Sequence, residues 1–245
     1  MPNTLKNNVA LTINVKSVAE RSGYRIGQGE LIFQPNGKPA FSVAIDVVVK
    51  TDDKVAPAIV VGAINVMGRL HQKVRDVQGS PVYEYAVYPT EIKPAKASDC
   101  WRGATFTIWT TADAEMKYSG GGKPYTKVKG KVGMGKDNKP LWIDVAAFTV
   151  GEDSSAAEAL NEVLKGATIE VHGRLDCYRS GSGKNYFSVN LFPVRENESG
   201  KKGAEPLTIV KNGDGAQDFA DPGMDSGATA TSGVDLSRFG FNGIG

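Results

Sequence analysis

Cysteine and histidine are scarce: the 245 residues hold two of each. Cys100 and Cys177 have no metal-like spacing, and His71 and His172 each stand alone. No zinc-type ligand set is written here, and two reduced thiols of a cytoplasmic protein are the expectation. No Ser-His-Asp order, paired carboxylates or phosphate loop stands out, so neither catalysis nor a cofactor is expected. Long apolar runs are missing too. Nothing approaches the roughly 18 residues that cross a bilayer. The opening "MPNTLKNNVA" has no signal-peptide pattern. These absences leave a cytoplasmic or nucleoid-associated protein that binds rather than reacts.

The net charge of +2 conceals an uneven distribution. Residues 212–245 contain five aspartates and one arginine, net −4, so the body before them carries +6. A basic body with an acidic end predicts an anionic ligand for the body.

What is present is repetition. "INVMGRL" at 64–70 and "IEVHGRL" at 169–175 agree in five of seven letters. Gly37-Lys38-Pro39 before "AFSVAIDVVV" matches Gly122-Lys123-Pro124 before "YTKVKGKV", and alternating runs follow each Gly-Arg-Leu. Two diverged units of domain size are predicted, at 1–95 and 102–196, since solenoids need three or more repeats. In the first unit Val9, Leu11, Ile13 and Val15 alternate with Ala10, Thr12 and Asn14, the period of a half-buried strand. No helix is evident there. In the second, "ATFTIWTT", "YTKVKGKV" and "LWIDVAAFTV" read as strands, with Trp109 on the apolar alternation of the first and assigned to the core. Ser155 and Glu158 form a capping box, Leu160, Val163 and Leu164 an apolar stripe, and Gly166 a stop, which together predict one short helix. A hairpin around "SGSGK" closes the unit. From 197 to 245 few large apolar residues remain, and a disordered acidic tail is expected.

Three strands, a helix and two strands are the order of an OB-fold, a five-stranded barrel that commonly binds oligonucleotides. The fold class expected is mainly β: two tandem OB-fold-like barrels, a helix in the second, and a tail. In both units Gly-Arg-Leu would be one barrel strand, its glycine at a bend or bulge and its leucine inward.

Residues 102–195 also resemble the bacterial-type single-stranded-DNA-binding protein family. "AEMKYSGGGKPYTKV" is similar to its stretch before the second strand, "WIDVAAF" to its third strand, and "AAEALNEVLKGATIEVHGRL" to its helix and fourth strand. Trp142 and Phe148 are six apart, as the family spaces two base-stacking aromatics. The first unit resembles it only near Gly37-Lys38-Pro39 and Gly68-Arg69-Leu70, and is too short between them for both a third strand and the helix. Two units in one chain resemble the tandem members, in which two chains build a four-barrel homodimer. Host, phage and plasmid origins all stay open.

Single strands offer phosphates and open base faces, so a binder needs cations and aromatic plates. Lys127, Lys129 and Lys131 share one face of their strand, about 6.7 Å apart, opposite Val128 and Val132. They are phosphate contacts or, alternatively, a solvated, aggregation-resistant face. Trp142 shares a face with Asp144, Ala146 and Phe148, and stacking on bases is expected of the two aromatics, with packing against a loop or partner as the alternative. Tyr178, Arg179, Lys184 and Tyr186 flank the hairpin tip, which either folds over a bound strand or is an ordinary loop, and Arg174 is a further candidate contact. Weaker candidates are Arg69, Lys73, Arg75, Tyr83 and Tyr85. Sequence-tolerant single-stranded DNA binding in replication, recombination or repair is the function expected, with RNA open as a ligand. A strand-annealing or replication-restart protein and a protein–protein hub are the alternatives. The family's tails end in acids and a final phenylalanine that recruits replication and repair enzymes. This chain ends "GVDLSRFGFNGIG", and Phe239 and Phe241 are its candidate anchors.

Overall fold

The computed structural model describes residues 6–34, 39–77, 80–96, 99–119, 121–132, 140–180, 184–192 and 205–213; for 74–77 and 80–81 it describes the backbone alone. The chain is mainly β. Its first five strands are β1 (Asn7–Arg21), β2 (Tyr24–Phe33), β3 (Phe41–Lys50), β4 (Gly62–Val77) and β5 (Ser80–Pro94). β1 pairs with β2 and β2 with β3. β3 runs parallel to β5, β5 pairs with β4, and β4 returns to β1. That circuit is closed and has the connectivity of an OB-fold barrel.

A second circuit repeats it. β6 (Arg102–Thr110), β8 (Pro124–Val132), β9 (Leu141–Phe148), β11 (Asn185–Leu191) and β10 (Thr168–Arg179) pair in that spatial order and close back on β6, with β9 and β11 parallel. β7 (Glu115–Tyr118) folds onto β8, and helix α1 (Ser155–Asn161) joins β9 to β10. The first circuit has a single 3-10 turn, Ala56–Ala58, where the second has α1. That turn resolves the shortage of residues noted in the first unit, which holds its third strand by shrinking the helix.

Register matches the two circuits at corresponding cross-strand pairs. Ile13 faces Ile64 as Ile108 faces Ile169. Val15 faces Gly29 as Thr110 faces Gly130. Asp46 faces Ala86 as Asp144 faces Ser188. Arg69 faces Tyr88 as Arg174 faces Asn190. A Cβ on Gly29 would meet Ile13 Cγ2 at 2.8 Å and Asn14 O at 2.9 Å; on Gly130 it would meet Ile108 Cγ2 at 2.3 Å and Trp109 O at 2.7 Å. The glycine of each Gly-Arg-Leu is likewise pressed on its neighbour, Gly68 on Tyr88 O and Gly173 on Asn190 O, at 2.2 and 2.5 Å from a built Cβ. Pairing shifts at Met67/Gly68, and Leu70 and Leu175 are fully buried. The phrase recurs because each barrel crosses strands tightly at that point.

The barrels join edge to edge through β1 and β6. Asn7 faces Phe106 and Leu11 faces Arg102, with Val9 opposite Ala104 between them. Val9 and Ala104 are barrel counterparts, so the junction is an internal pseudo-two-fold. Tyr85 meets its own counterpart Phe187 edge-on at 4.5 Å, Phe33 lies 6.1 Å from Phe187, and the Tyr85 hydroxyl donates to Asn185 O at 3.3 Å. One hydrophobic core runs through both barrels.

Five expectations need correction. By register, β3 corresponds to β9, whereas Gly122-Lys123-Pro124 precedes β8, so the two glycine-lysine-proline turns stand before strands that are not counterparts. The helix starts one residue earlier than the capping box implied: Ser154 is its cap and its hydroxyl contacts Glu158, while Asp153 Oδ1 accepts the Ser155 N–H at 2.9 Å. Leu160 and Val163 are buried, but Leu164 is exposed. Trp109 stands on the outer face and is half-buried, because Ala104, Phe106, Ile108 and Thr110 supply the inward set. Finally, the tail reading fails for Leu207–Lys211, which forms β12 on β10, with Ile169 facing Ile209 and Val171 facing Leu207. In the first barrel Ile92 and Pro94 of β5 take those places. β12 is therefore the detached second half of the fifth strand. Asn212 fastens its end, accepting from Leu164 N at 3.1 Å and donating to Glu162 O at 2.9 Å.

Candidate nucleic-acid interface

The outer face of β8, β9, β11 and β10 gathers most of the expected residues. Alternation places Tyr125, Lys127, Lys129 and Lys131 outward on β8, while Val128 and Val132 enter the core. On β9 the outward set is Trp142, Asp144, Ala146 and Phe148. Cross-strand pairs then set Tyr125 against Phe148, Lys129 against Asp144, and Lys131 between Trp142 and Trp109. Trp142 is 49% exposed, and its backbone N–H donates to Gln72 Oε1 of the first barrel at 3.1 Å. A half-open indole on the outer face of a β-barrel is an apolar plate open to solvent.

Aromatic rings continue from it in two groups. Tyr125 stacks on Phe148 at 5.2 Å and Phe148 on Phe192 at 6.4 Å, with the Arg174 guanidinium 5.5 Å from the Phe192 ring. Arg174 also bonds Asp176 at 3.1 Å. Tyr178 stacks on Tyr186 at 5.3 Å, and Tyr83 of the first barrel lies 6.3 Å from Tyr186. The first barrel thus extends this row across the seam. Tyr125 and Phe192 were absent from the expected set, although parity with Lys127 and with Tyr186 would have found both. Met116 and Tyr118, 60% and 70% exposed on β7, were missed as well. Their strand is only four residues long, too short to reveal a period.

Several expected contacts are committed elsewhere. Lys127 Nζ is 2.6 Å from Asp144 Oδ2 and 5.1 Å from the Tyr178 ring centre, so it does not extend toward a phosphate. The Tyr178 hydroxyl donates to the same Asp144 oxygen at 2.7 Å. Burial, and then this bond to a carboxylate, raises the Tyr178 phenol above its usual range. Arg179 turns to the first barrel: it donates to Ser42 O at 3.2 Å and Asn185 Oδ1 at 3.1 Å, and covers the Phe41 ring at 4.9 Å. Tyr85 is 6% exposed, a seam residue and not a surface plate. Lys184 closes the hairpin through its backbone, its N–H on Ser180 Oγ at 3.1 Å. Lys129, Arg69 and Arg174 are exposed, and Lys73 and Lys131 half-exposed. The Arg75 side chain, Phe239 and Phe241 lie outside the described residues.

Among the described residues no cluster of histidine, cysteine and carboxylate could hold a metal, and no helix is long and apolar enough to cross a membrane. Burial lowers the His71 imidazole to about 4 and pushes the Cys177 thiol up to about 12.

No family model matches the chain, and no curated protein does. Solved structures do. The wild-type single-stranded DNA binding protein from Thermus aquaticus superposes with a TM-score of 0.55 at 17% identity, covering 89% of this chain and 99% of that one. A deletion mutant of the Thermus aquaticus protein gives 0.50 at 18% identity, over 76% and 92%. The fold is shared along nearly the whole of both chains.

Proposed function

We propose that this chain binds single-stranded DNA with little sequence preference, on the outer face of the second barrel. The observation that carries the reading is Trp142, half-open beside Lys129 and Lys131, with the Tyr125–Phe148–Phe192 stack on the same face. Every base has a face to stack, and each stacking aromatic is worth about 1–3 kcal/mol by alanine substitution. Cations beside the plates take the phosphates. The proteins of Thermus aquaticus that share this fold are single-stranded DNA binding proteins by name, which supports the same class of ligand here. Covering single strands during replication, recombination or repair would be the use of such a face.

Assembly belongs to the proposal. Two chains, four barrels, would pair as a homodimer, with the first barrel serving mainly as scaffold and the acidic tail, through Phe239 and Phe241, recruiting a partner protein. Titration of intrinsic tryptophan fluorescence with oligo(dT), duplex DNA and oligo(U), with the mass of each complex measured by light scattering, tests the ligand and the assembly. Strong quenching by oligo(dT), weak response to duplex and a dimeric mass are expected. Equal affinity for duplex, or no quenching, would remove the reading, and a monomeric mass would remove the assembly.

A further inference from the structure

A carboxylate in the middle of a phosphate-binding face requires an explanation. Asp144 is 7% exposed, lies on β9 between Trp142 and Ala146, and faces Lys129 on one side and Ser188 on the other. Left bare, its charge would repel the ligand and pay for burial without return. Its Oδ2 instead takes Lys127 Nζ at 2.6 Å and the Tyr178 hydroxyl at 2.7 Å. Lys117 and Lys129 add positive charge on the β7–β8 side. Bonded at its hydroxyl and covered by the Lys127 ammonium, Tyr178 lies nearly parallel to Tyr186, the planes inclined by 19°.

We infer that Asp144 is a positioning residue of this face: its carboxylate withholds Lys127 from phosphate and fixes the Tyr178 ring against Tyr186 as a ready plate. The inference rests on the nucleic-acid reading above. Phosphates are then left to Lys129 and Lys131, and the centre of the face acts through rings. The first barrel separates the two parts of this device. Its Asp46 occupies the Asp144 position, but Ile26 stands where Lys127 would be and Lys73 where Tyr178 would be. The acid alone is part of the shared barrel, whereas the cation and the phenol that it holds occur only beside the plates.

The salt dependence of binding reads the device directly. Each cation that meets a phosphate on a single strand adds about 0.7 to the slope of log K against log salt. In Asp144→Asn, Lys127 is released, and the slope for oligo(dT) is expected to steepen by about 0.7. Adding Lys127→Met to that variant should restore the parental slope. A loss of local order without a latch would not create a Lys127-dependent steepening. A second readout needs no DNA: with tyrosine labelled at the ring Cζ carbon, the Tyr178 hydroxyl should titrate at lower pH in Asp144→Asn than in the parent. If Asp144→Asn does not fold, single variants decide: Lys127→Met in the parent should leave the slope unchanged, while Lys129→Met should lower it by about 0.7. A parental slope in Asp144→Asn, or steepening that persists without Lys127, overturns the latch with the nucleic-acid reading intact. A parent that does not bind oligo(dT) overturns both.

Discussion

The two barrels share a frame and differ on one face. Where the second presents Trp142, Phe148, Lys129 and Lys131, register places Ala44, Lys50, Gln28 and Glu30 in the first. Tyr186 has Glu84 as its counterpart. The first barrel covers this side with a small apolar cluster, Ile26 and Val48 with Tyr24, Ala86 and Tyr88 packed around them. Inside, the positions agree: Ile13 with Ile108, Leu70 with Leu175, Val47 with Val145, all buried. A barrel interior is constrained by volume and tight crossings, and an outer face is constrained only by what it meets. One barrel therefore presents plates and cations on this face, while the other covers it with an apolar cluster.

The largest effects should fall on what the barrels share. Gly68→Ala and Gly173→Ala each press a methyl into a backbone carbonyl, at 2.2 and 2.5 Å. Both should lose about 1–3 kcal/mol of stability, seen as a lower urea midpoint. If only one does, the frames are not equivalent.

One effect in the first barrel appears with pH. Burial, and then the nearby Glu84 charge, raises the Asp46 carboxyl to about 6 from an ordinary 3.8. A raised acid binds its proton more tightly when folded, so its stabilising contribution is complete below pH about 4 and is lost as pH rises through about 6. Asp46→Asn should remove that decline, on the order of 2 kcal/mol, in unfolding followed from pH 4 to pH 7. A decline that survives the substitution would assign it to another group.

Smaller effects belong to the charged periphery. Replacing Lys129 and Lys131 together by methionine should lower the salt slope by about 1.4, while replacing Gln28 and Glu30 by alanine in the first barrel should leave it unchanged. Removal of residues 214–245 should leave the urea midpoint unmoved and tighten oligo(dT) binding several-fold at low salt, because five aspartates stop competing for the basic face. Removal from 207 onward should also lower the midpoint, since it takes away β12.

Period-2 alternation carried much of this fold. Val9 to Val15 and Lys127 to Lys131 lie on the faces that the sequence indicates, because a strand half in a core has no other way to arrange them. Alternation could not tell which short strand pairs with which, and the glycine-lysine-proline turns were matched one strand out of step. It also could not recover a strand cut in two. The fifth strand of the second barrel resumes only at Leu207, after a run rich in glycine and charge that reads as the start of a tail. Nor does sequence show which cations are already engaged. Lys127, Lys129 and Lys131 look alike in "YTKVKGKV", and only the fold brings Asp144 and Tyr178 to the first of them.

The central claim is that one barrel of the two is the nucleic-acid face. Anisotropy of a fluorescently labelled oligo(dT), titrated with the parent, Trp142→Ala and Tyr24→Ala, tests it most directly, since Tyr24 is the first-barrel counterpart of Tyr125. Trp142→Ala should weaken binding by about 1–3 kcal/mol, and Tyr24→Ala should bind as the parent does. Parental affinity in Trp142→Ala, or an equal loss in Tyr24→Ala, would contradict the account.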